Sequence, residues 1–511
     1  MLANIKSSAL LGIDAYPVEC EVDIAPGLPT FQTVGLPDAA VKESKDRVKS
    51  AITNSQFPFP VQRITVNLAP ADIKKEGPSF DLPMAVGILT ASGKLTPDQV
   101  DGFWMVGELS LDGKVRPIRG ALPIALAARD HKVRGLLVPA ENAKEAGVVR
   151  EIPVYPIRNL RETFEFLAGH KTLKPIEVDI EAEFQAHSAY KVDFADVKGQ
   201  ENAKRALEIG AAGGHNILLV GPPGSGKTML TKRLPTILPP LSLEEAIQTT
   251  KIHSIAGTLG RRKALMATRP FRSPHHTVSD AGLIGGGTMP RPGEVSLSNN
   301  GVLFLDEFPE FNKNVLEVLR QPLEDGMVTI SRVQSTLSFP AQFMLAAAMN
   351  PCPCGYYTDP GRECTCTPHQ IQKYLGRISG PLLDRIDLHI EVPALKWKEI
   401  SDTSLAEPSL AIRERIVRAR TLQQARFQGE GIHCNAQMSS NQMRKHCLLD
   451  GPSQTLLRTA MERFGLSARA YDRILKVART IADLDGAEDI RSAYVAEAIQ
   501  YRNLDRSVWR N

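Results

Sequence analysis

The feature that most constrains this chain is an apolar run, Asn216-Ile-Leu-Leu-Val220, followed by Gly221, Pro222, Pro223, Gly224, Ser225, Gly226, Lys227 and Thr228 and continuing as Met229-Leu-Thr-Lys-Arg233. The pattern predicts a buried strand, a tight loop and a helix. Small residues let backbone N–H groups close around phosphate oxygens, and the helix N-terminus adds its positive end. On that reading Lys227 reaches the β/γ-phosphates of ATP and the Thr228 hydroxyl ligates Mg²⁺. A strand that delivers its loop to a helix in this way belongs in a parallel sheet, and from about Phe194 to Pro393 strands do alternate with helices.

The same alternating region carries the groups a phosphoanhydride needs. Gly301-Val-Leu-Phe-Leu305 is an apolar strand that ends in Asp306 and Glu307, at the strand's C-terminal edge, where ligands sit in such sheets. Asp306 would hold Mg²⁺ through its water shell and Glu307 would polarise the attacking water. An apolar run ending in acids is common by itself; its place after a phosphate loop gives it meaning. Phe343-Met-Leu-Ala-Ala-Ala-Met349 leads to Asn350, which would orient that water, or simply turn the chain before Pro351. In Gly380-Pro-Leu-Leu-Asp384-Arg385-Ile-Asp387, Arg385 stands between two acids, either as a solvated ion pair or as a finger offered to a neighbouring subunit's nucleotide, with Arg377 as runner-up.

At 511 residues the chain is too long for one core. We expect a mixed strand-and-helix domain over 1–170, a polar linker over 171–193, the strand-helix core over 194–393 and a charged helical region over 394–511. The N-terminus shows no basic stretch leading into an apolar core, and no run is long enough to span a bilayer, so a cytoplasmic protein without a membrane partner is expected. A net charge of +4 permits a nucleic-acid partner without requiring one.

Four of the seven cysteines, Cys352, Cys354, Cys364 and Cys366, fall in an insert spanning 352–366. Two thiol pairs joined by a short loop with Pro360-Gly361 can close a tetrahedral structural Zn²⁺ site, although each pair spans one residue where the commoner knuckle spans two; free thiols are the alternative. Cys20, Cys434 and Cys447 stand alone and read as buried neutral residues.

Long blocks carry a resemblance. Arg269-Pro-Phe-Arg-Ser-Pro-His-His-Thr, the stretch from Gly293 to Glu307, Ala348-Met-Asn-Pro-Cys-Pro-Cys-Gly, and Arg377 to Asp387 are similar to the magnesium-chelatase-like AAA+ ATPases, in their bacterial competence-associated branch. The resemblance covers nearly the whole chain. It implies a homohexameric ATP hydrolase that moves on single-stranded and branched DNA without sequence preference. Its role would be to drive helicase and branch-migration steps on recombination intermediates in natural transformation, with recombination proteins as candidate partners. It further implies that Arg385 is the trans-acting finger, Asn350 the first sensor, and Arg469, in Gly465-Leu-Ser-Ala-Arg-Ala-Tyr, the second sensor of a helical lid. The competing reading within the family is a chelatase-type metal-insertion ATPase that does not act on DNA.

For DNA contact, the alternating segment Gly326 to Pro340 predicts a β-hairpin, and in related hexameric motors a hairpin at this place projects into the pore. Arg332 would then meet phosphates. The insert with Arg272, His275 and His276, ending in Gly285-Gly-Gly287, would supply a second contact, or its histidines are structural. In the N-terminal domain, the segment around Ser79 and the stretch Val106 to Leu122 resemble Lon-type proteases, but Leu122 stands where the general-base lysine belongs, which implies a Lon-like α+β fold without peptidase activity. Gly35-Leu-Pro-Asp38 has no function assignable from sequence.

Overall fold

The computed structural model describes the chain except residues 76, 261–262, 288–289, 333–334, 358, 360, 396–400, 402–405 and 503–511. It forms two compact units, the first made of Met1–Ser188 with Leu243–Ala267 and the second of Ala189–Ser242 with Thr268–Asn511. This moves two of the expected boundaries. Residues 243–267 leave the core predicted over 194–393 for the N-terminal unit, and the helices of 394–511 share a unit with that core.

In the first unit, strands β1 (Leu2–Leu11), β2 (Asp14–Ala25), β3 (Thr30–Val34), β4 (Arg63–Ala69), β5 (Phe103–Met105), β6 (Glu108–Leu109), β7 (Val115–Arg116), β8 (Gly135–Pro139) and β9 (Val154–Ile157) are laid down in order. Seven of them build one mixed sheet, β3-β4-β2-β1-β5-β8-β9, while β6 and β7 pair separately. Val18, Cys20, Val22 and Ile24 of β2 alternate into the core with the period of two that a half-covered strand demands. The wholly buried helix Asp81–Ala91 covers this face. It can lie close because Gly87 lacks a Cβ, which would stand 2.5 Å from Val22 Cγ2.

The Gly35-Leu-Pro-Asp38 segment acquires a structural role here. Gly35 has φ +94°, and a Cβ on it would meet the Leu68 carbonyl at 2.2 Å. Asp38 caps the helix Ala39–Asn54 through Val41 N–H (2.7 Å) and also accepts from Gly77 N–H (3.3 Å), tying down the loop before Ser79. Leu122 is fully buried in the helix Ala121–Asp130, its N–H donating to Glu145 (2.9 Å), so an apolar side chain occupies the position expected for a general-base lysine. Glu145 also accepts from Ser254, which fastens the helix Leu243–Ala256 into this unit.

The second unit carries β10 (Ile217–Val220), β11 (Phe271–Arg272), β12 (Gly285–Gly286), β13 (Arg291–Pro292), β14 (Val302–Leu305), β15 (Met327–Arg332), β16 (Ser335–Pro340), β17 (Met344–Met349) and β18 (Leu388–Glu391). The main sheet is parallel throughout, in the order β11-β14-β17-β10-β18. Its central strands β10, β14 and β17 are buried on both faces, which is why they read as continuous apolar runs. β12 with β13 and β15 with β16 are separate antiparallel hairpins, the second in the register Met327 to Pro340 through Arg332 to Ser335. One apolar core runs from Phe194 through the sheet to Ala498, taking in the helices Ser409–Arg426, Gly451–Phe464, Ala468–Leu484 and Ser492–Gln500. No helix among the described residues is long and apolar enough to cross a membrane.

The helix Ala468–Leu484 is anchored at a defined place. Arg473 pairs with Asp387 at 2.9 Å, and His215 bridges Asp387 Oδ2 (3.1 Å) and Thr480 Oγ1 (2.9 Å). His215 lies just before β10 and Asp387 just before β18, so these contacts sit at the N-terminal edge of the sheet. Burial holds the His215 ring below its ordinary pKa, with Asp387 offsetting only part of that. Burial also pushes the Asp387 carboxyl up, but Arg473 and the His215 ring hold it below the carboxylate range. Both groups therefore bind fewer protons folded than unfolded. Their contribution is present above about pH 6.5 and is lost as pH falls, first through His215 and again below about pH 4 through Asp387. We expect Asp387→Ala to cost about 1–3 kcal/mol, since it leaves the buried His215 ring without its acceptor and the partly exposed Arg473 without its partner. The urea midpoint, measured against pH, should drop and lose the part of its acid dependence that lies below about pH 4, while the part carried by His215 remains.

Candidate functional site

Because β10, β14 and β17 run parallel and adjacent, their C-terminal ends deliver Gly221, Asp306 and Asn350 to one edge. Gly221 N–H donates to the Met349 carbonyl at 3.2 Å, locking the loop to the neighbouring strand. Gly224 (φ +77°) and Gly226 (φ +89°) then turn left-handed; a Cβ on Gly224 would meet nothing within 4 Å, and on Gly226 only Met229 at 3.6 Å. The loop thus presents an open concave backbone at the start of the helix Lys227–Ile237, shaped to take phosphate. Lys227 Nζ donates to the carbonyls of Gly221 (2.7 Å) and Pro222 (2.9 Å) and to Asn350 Oδ1 (3.3 Å). Burial pushes its ammonium below the usual range, with Asp306 pulling the other way, so Lys227 is an underneutralised cation aimed at an anion site.

Thr228 Oγ1 lies 2.6 Å from Asp306 Oδ2. A hydroxyl and a carboxylate converging on one point are the hard oxygen donors that Mg²⁺ prefers, so the residues present fit MgATP. Glu307 follows in a left-handed backbone (φ 53°, ψ 44°), a costly conformation for a residue with a Cβ. Its side chain is exposed, with Oε2 3.1 Å from His276 Nδ1.

That last contact gives one of the expected DNA contacts a partner within the chain. His276 sits on Glu307, and His275 stacks on His276 with ring centroids 4.1 Å apart while hydrogen-bonding Thr277. Arg272 is clasped by both oxygens of Glu294, at 2.6 and 2.7 Å, and is therefore already neutralised. The fork geometry that suits a phosphate is spent on a carboxylate of the same chain. Glu294 went unnoticed in the sequence because only the fold brings it back to the end of β11. The hairpin expected around Arg332 is present, and the Arg332 side chain lies outside the described residues.

The arginines are placed away from this edge. Arg385 pairs with Glu324 and donates to the Pro381 carbonyl at 2.8 Å, and its own carbonyl accepts from Asn216, the residue before β10. Arg469 is 65% exposed and pairs with Asp384 at 3.2 Å, next in sequence to Arg385. Its helix is the one anchored on Asp387, at the N-terminal edge of the strands, whereas Lys227 lies past their C-terminal edge. The four residues of β10 alone separate the two edges by about 13 Å. A second sensor acting on its own chain's nucleotide is therefore not what the fold presents: Arg469 sits with Arg385, not with Lys227. Arg377 is held by Glu310 at 2.6 Å.

The sulfurs of Cys352, Cys354, Cys364 and Cys366 converge within 4.8 Å of one another. Cys20, Cys434 and Cys447 are free and buried, as read from sequence.

A five-stranded parallel sheet with the phosphate loop on β10, paired acids on β14 and an amide on the intervening β17 defines an AAA+ P-loop protein. Family models described as magnesium chelatase, subunit ChlI, match residues 193–400; as subunit ChlI of Mg-chelatase, residues 20–142; and as the ChlI C-terminal region, residues 406–502. Competence protein ComM of Haemophilus influenzae is 46% identical over 509 residues, covering 99% of this chain and 98% of its own. YifB of Salmonella typhimurium is 44% identical over the same shares. Lon protease 2 of Bacillus subtilis is 31% identical over 119 residues, 22% of this chain and 21% of its own. The chain belongs to the magnesium-chelatase-like AAA+ family, in its ComM and YifB branch.

Proposed function

We propose that this protein is a ring-forming, ATP-driven DNA motor that works on recombination intermediates during competence. The observation that carries the reading is the placement of Arg385 and Arg469 together at the sheet edge opposite the Lys227 loop. Two guanidiniums so placed complete a nucleotide site only if the site belongs to another copy, which a closed ring supplies around its whole circumference. Similarity over nearly the full length to a protein named for competence supports the biological setting. The β15–β16 hairpin directly before β17 supports the DNA contact, because it couples an antiparallel strand pair to the strand that ends in Asn350.

In the proposed cycle the P-loop amides and Lys227 hold the β/γ-phosphates. Thr228 and Asp306 hold Mg²⁺, Glu307 takes a proton from the lytic water that Asn350 orients, and a neighbour's Arg385 and Arg469 meet the developing charge. His276 engages Glu307 outside that role. An exposed pair of this kind is worth up to about 1 kcal/mol, so His276→Ala is expected to raise DNA-independent hydrolysis by up to about fivefold, measured as the ATPase rate without and with DNA.

The test is ATP hydrolysis with single-stranded, duplex and forked DNA, alongside electron microscopy of the protein with forked DNA and an ATP analogue. Stimulation by DNA and a six-membered ring are expected; an ATPase indifferent to every DNA would sink the motor. Arg332→Ala should weaken binding uniformly across sequences and reduce the salt slope of binding by about one. The chelatase-type reading, a metal-insertion ATPase that ignores DNA, has the family descriptions in its favour. It predicts that indifference.

A further inference from the structure

We infer that Cys352, Cys354, Cys364 and Cys366 hold one zinc ion, and that this centre braces the phosphate-binding loop and sets its affinity for ATP. The inference rests on the ATP site described above.

The metal follows from the sulfur geometry. Sγ of Cys352 stands 3.3 Å from that of Cys354 and 3.7 Å from that of Cys364, and Cys354 and Cys364 are 3.6 Å apart. A tetrahedron with Zn–S bonds of about 2.3 Å has edges of about 3.8 Å, so these atoms lie close to the corners a zinc ion would impose. Two backbone amides point at the cluster: Cys354 N–H at Cys366 Sγ (3.4 Å) and Tyr357 N–H at Cys352 Sγ (3.3 Å). Amides aimed at sulfur favour thiolates, and four thiolates packed together need a cation. An all-sulfur donor set selects a soft or borderline metal.

The brace follows from where the cluster sits. Cys352 is two residues past Asn350, which is the acceptor for Lys227 Nζ at 3.3 Å. Gly355, in the turn after Cys354, has φ +89°, and a Cβ on it would stand 2.5 Å from Pro223 Cδ and 2.8 Å from Pro223 Cγ. The cysteine turn therefore touches the nucleotide site twice: through Asn350 at its root, and through Gly355 against the proline in the middle of the P-loop. Metal coordination pins that turn by linking it to Cys364 and Cys366, so release of the metal loosens a wall of the phosphate cradle. The loop glycines supply curvature but no packing of their own, and rigidity has to come from outside the loop.

The test uses the full-length protein purified under reducing conditions. Elemental analysis should find one zinc per chain. Stripping it with a mercurial and a chelator, followed by removal of both with excess thiol, should weaken binding of a fluorescent ATP analogue in Mg²⁺ by about tenfold, the scale on which supporting shells act on a site. Adding Zn²⁺ back should restore it. Gly355→Ala leaves every cysteine in place; it should keep zinc and still weaken ATP binding. Bound zinc with an unmoved ATP affinity, both on stripping and in Gly355→Ala, would overturn the brace. Four titratable thiols with no metal, or iron in place of zinc, would overturn the metal assignment. A metal-replete wild-type protein that does not bind ATP at all would instead overturn the nucleotide reading beneath both.

Discussion

Glu307→Gln is expected to lower ATP hydrolysis by about 10²–10⁴-fold, the usual worth of a positioned general base, while ATP still binds. The separation comes from the geometry. Glu307 shares no hydrogen bond or ion pair with Lys227, Thr228 or the loop glycines; its N–H donates to Asp306 (3.0 Å) and its carboxylate meets His276 (3.1 Å). The phosphate cradle and the Thr228–Asp306 oxygen pair are therefore untouched by the substitution. The amide of Gln keeps the length and the hydrogen-bonding capacity toward His276 but cannot take a proton from water. Equilibrium binding of a fluorescent ATP analogue and steady-state phosphate release, measured on one preparation, check the two halves. Loss of binding in step with turnover would place Glu307 in the cradle. Near-normal turnover would remove it from the chemistry.

The second large effect belongs to Arg385. Arg385→Ala should reduce turnover by about 10³-fold or more, the lower end of what an arginine finger supplies, again with ATP binding retained by each subunit. A mixing experiment distinguishes a trans finger from a local one. Lys227→Ala subunits lack a phosphate site but offer an intact Arg385; Arg385→Ala subunits offer the reverse. Each alone is inactive, yet in randomly mixed rings about a quarter of the interfaces join an intact loop to an intact finger. Recovery of roughly that share of wild-type activity is expected, and complete silence of the mixture would mean that Arg385 serves its own chain. Arg469→Ala should complement in the same sense as Arg385→Ala, because the two arginines share one edge through Asp384. In the proposed ring Arg385 would have to leave Glu324, which pairs with it in the single chain.

Much of this site is legible in the residues. Gly221 to Thr228 has one sensible conformation, because Gly224 and Gly226 must turn left-handed for the amides to converge. Placed after a phosphate loop, the apolar runs before Asp306 and Asn350 read as buried parallel strands, and such strands carry their polar residues at the ligand edge. The hairpin of β15 and β16 was visible as alternation, and the four clustered cysteines as a spacing. What sequence reading missed were partnerships made across the fold. Nothing local in Arg272 announces Glu294, 22 residues on; nothing in His276 announces Glu307. The second-sensor segment around Arg469 is equally clear as a motif, but a motif names a residue's chemistry and not the sheet edge its helix packs against.

The division follows from the range of the forces involved. Backbone conformation, strand burial and the phosphate-loop chemistry are set by neighbours within a few residues, so this sequence determined by itself that the chain builds a MgATP cradle around Lys227. Which charges neutralise one another, which sheet edge carries Arg385 and Arg469, and which wall Gly355 supports depend on side chains far apart in sequence. Those were decided only when one apolar core, running from Phe194 to Ala498, docked the C-terminal helices against the N-terminal edge of the sheet.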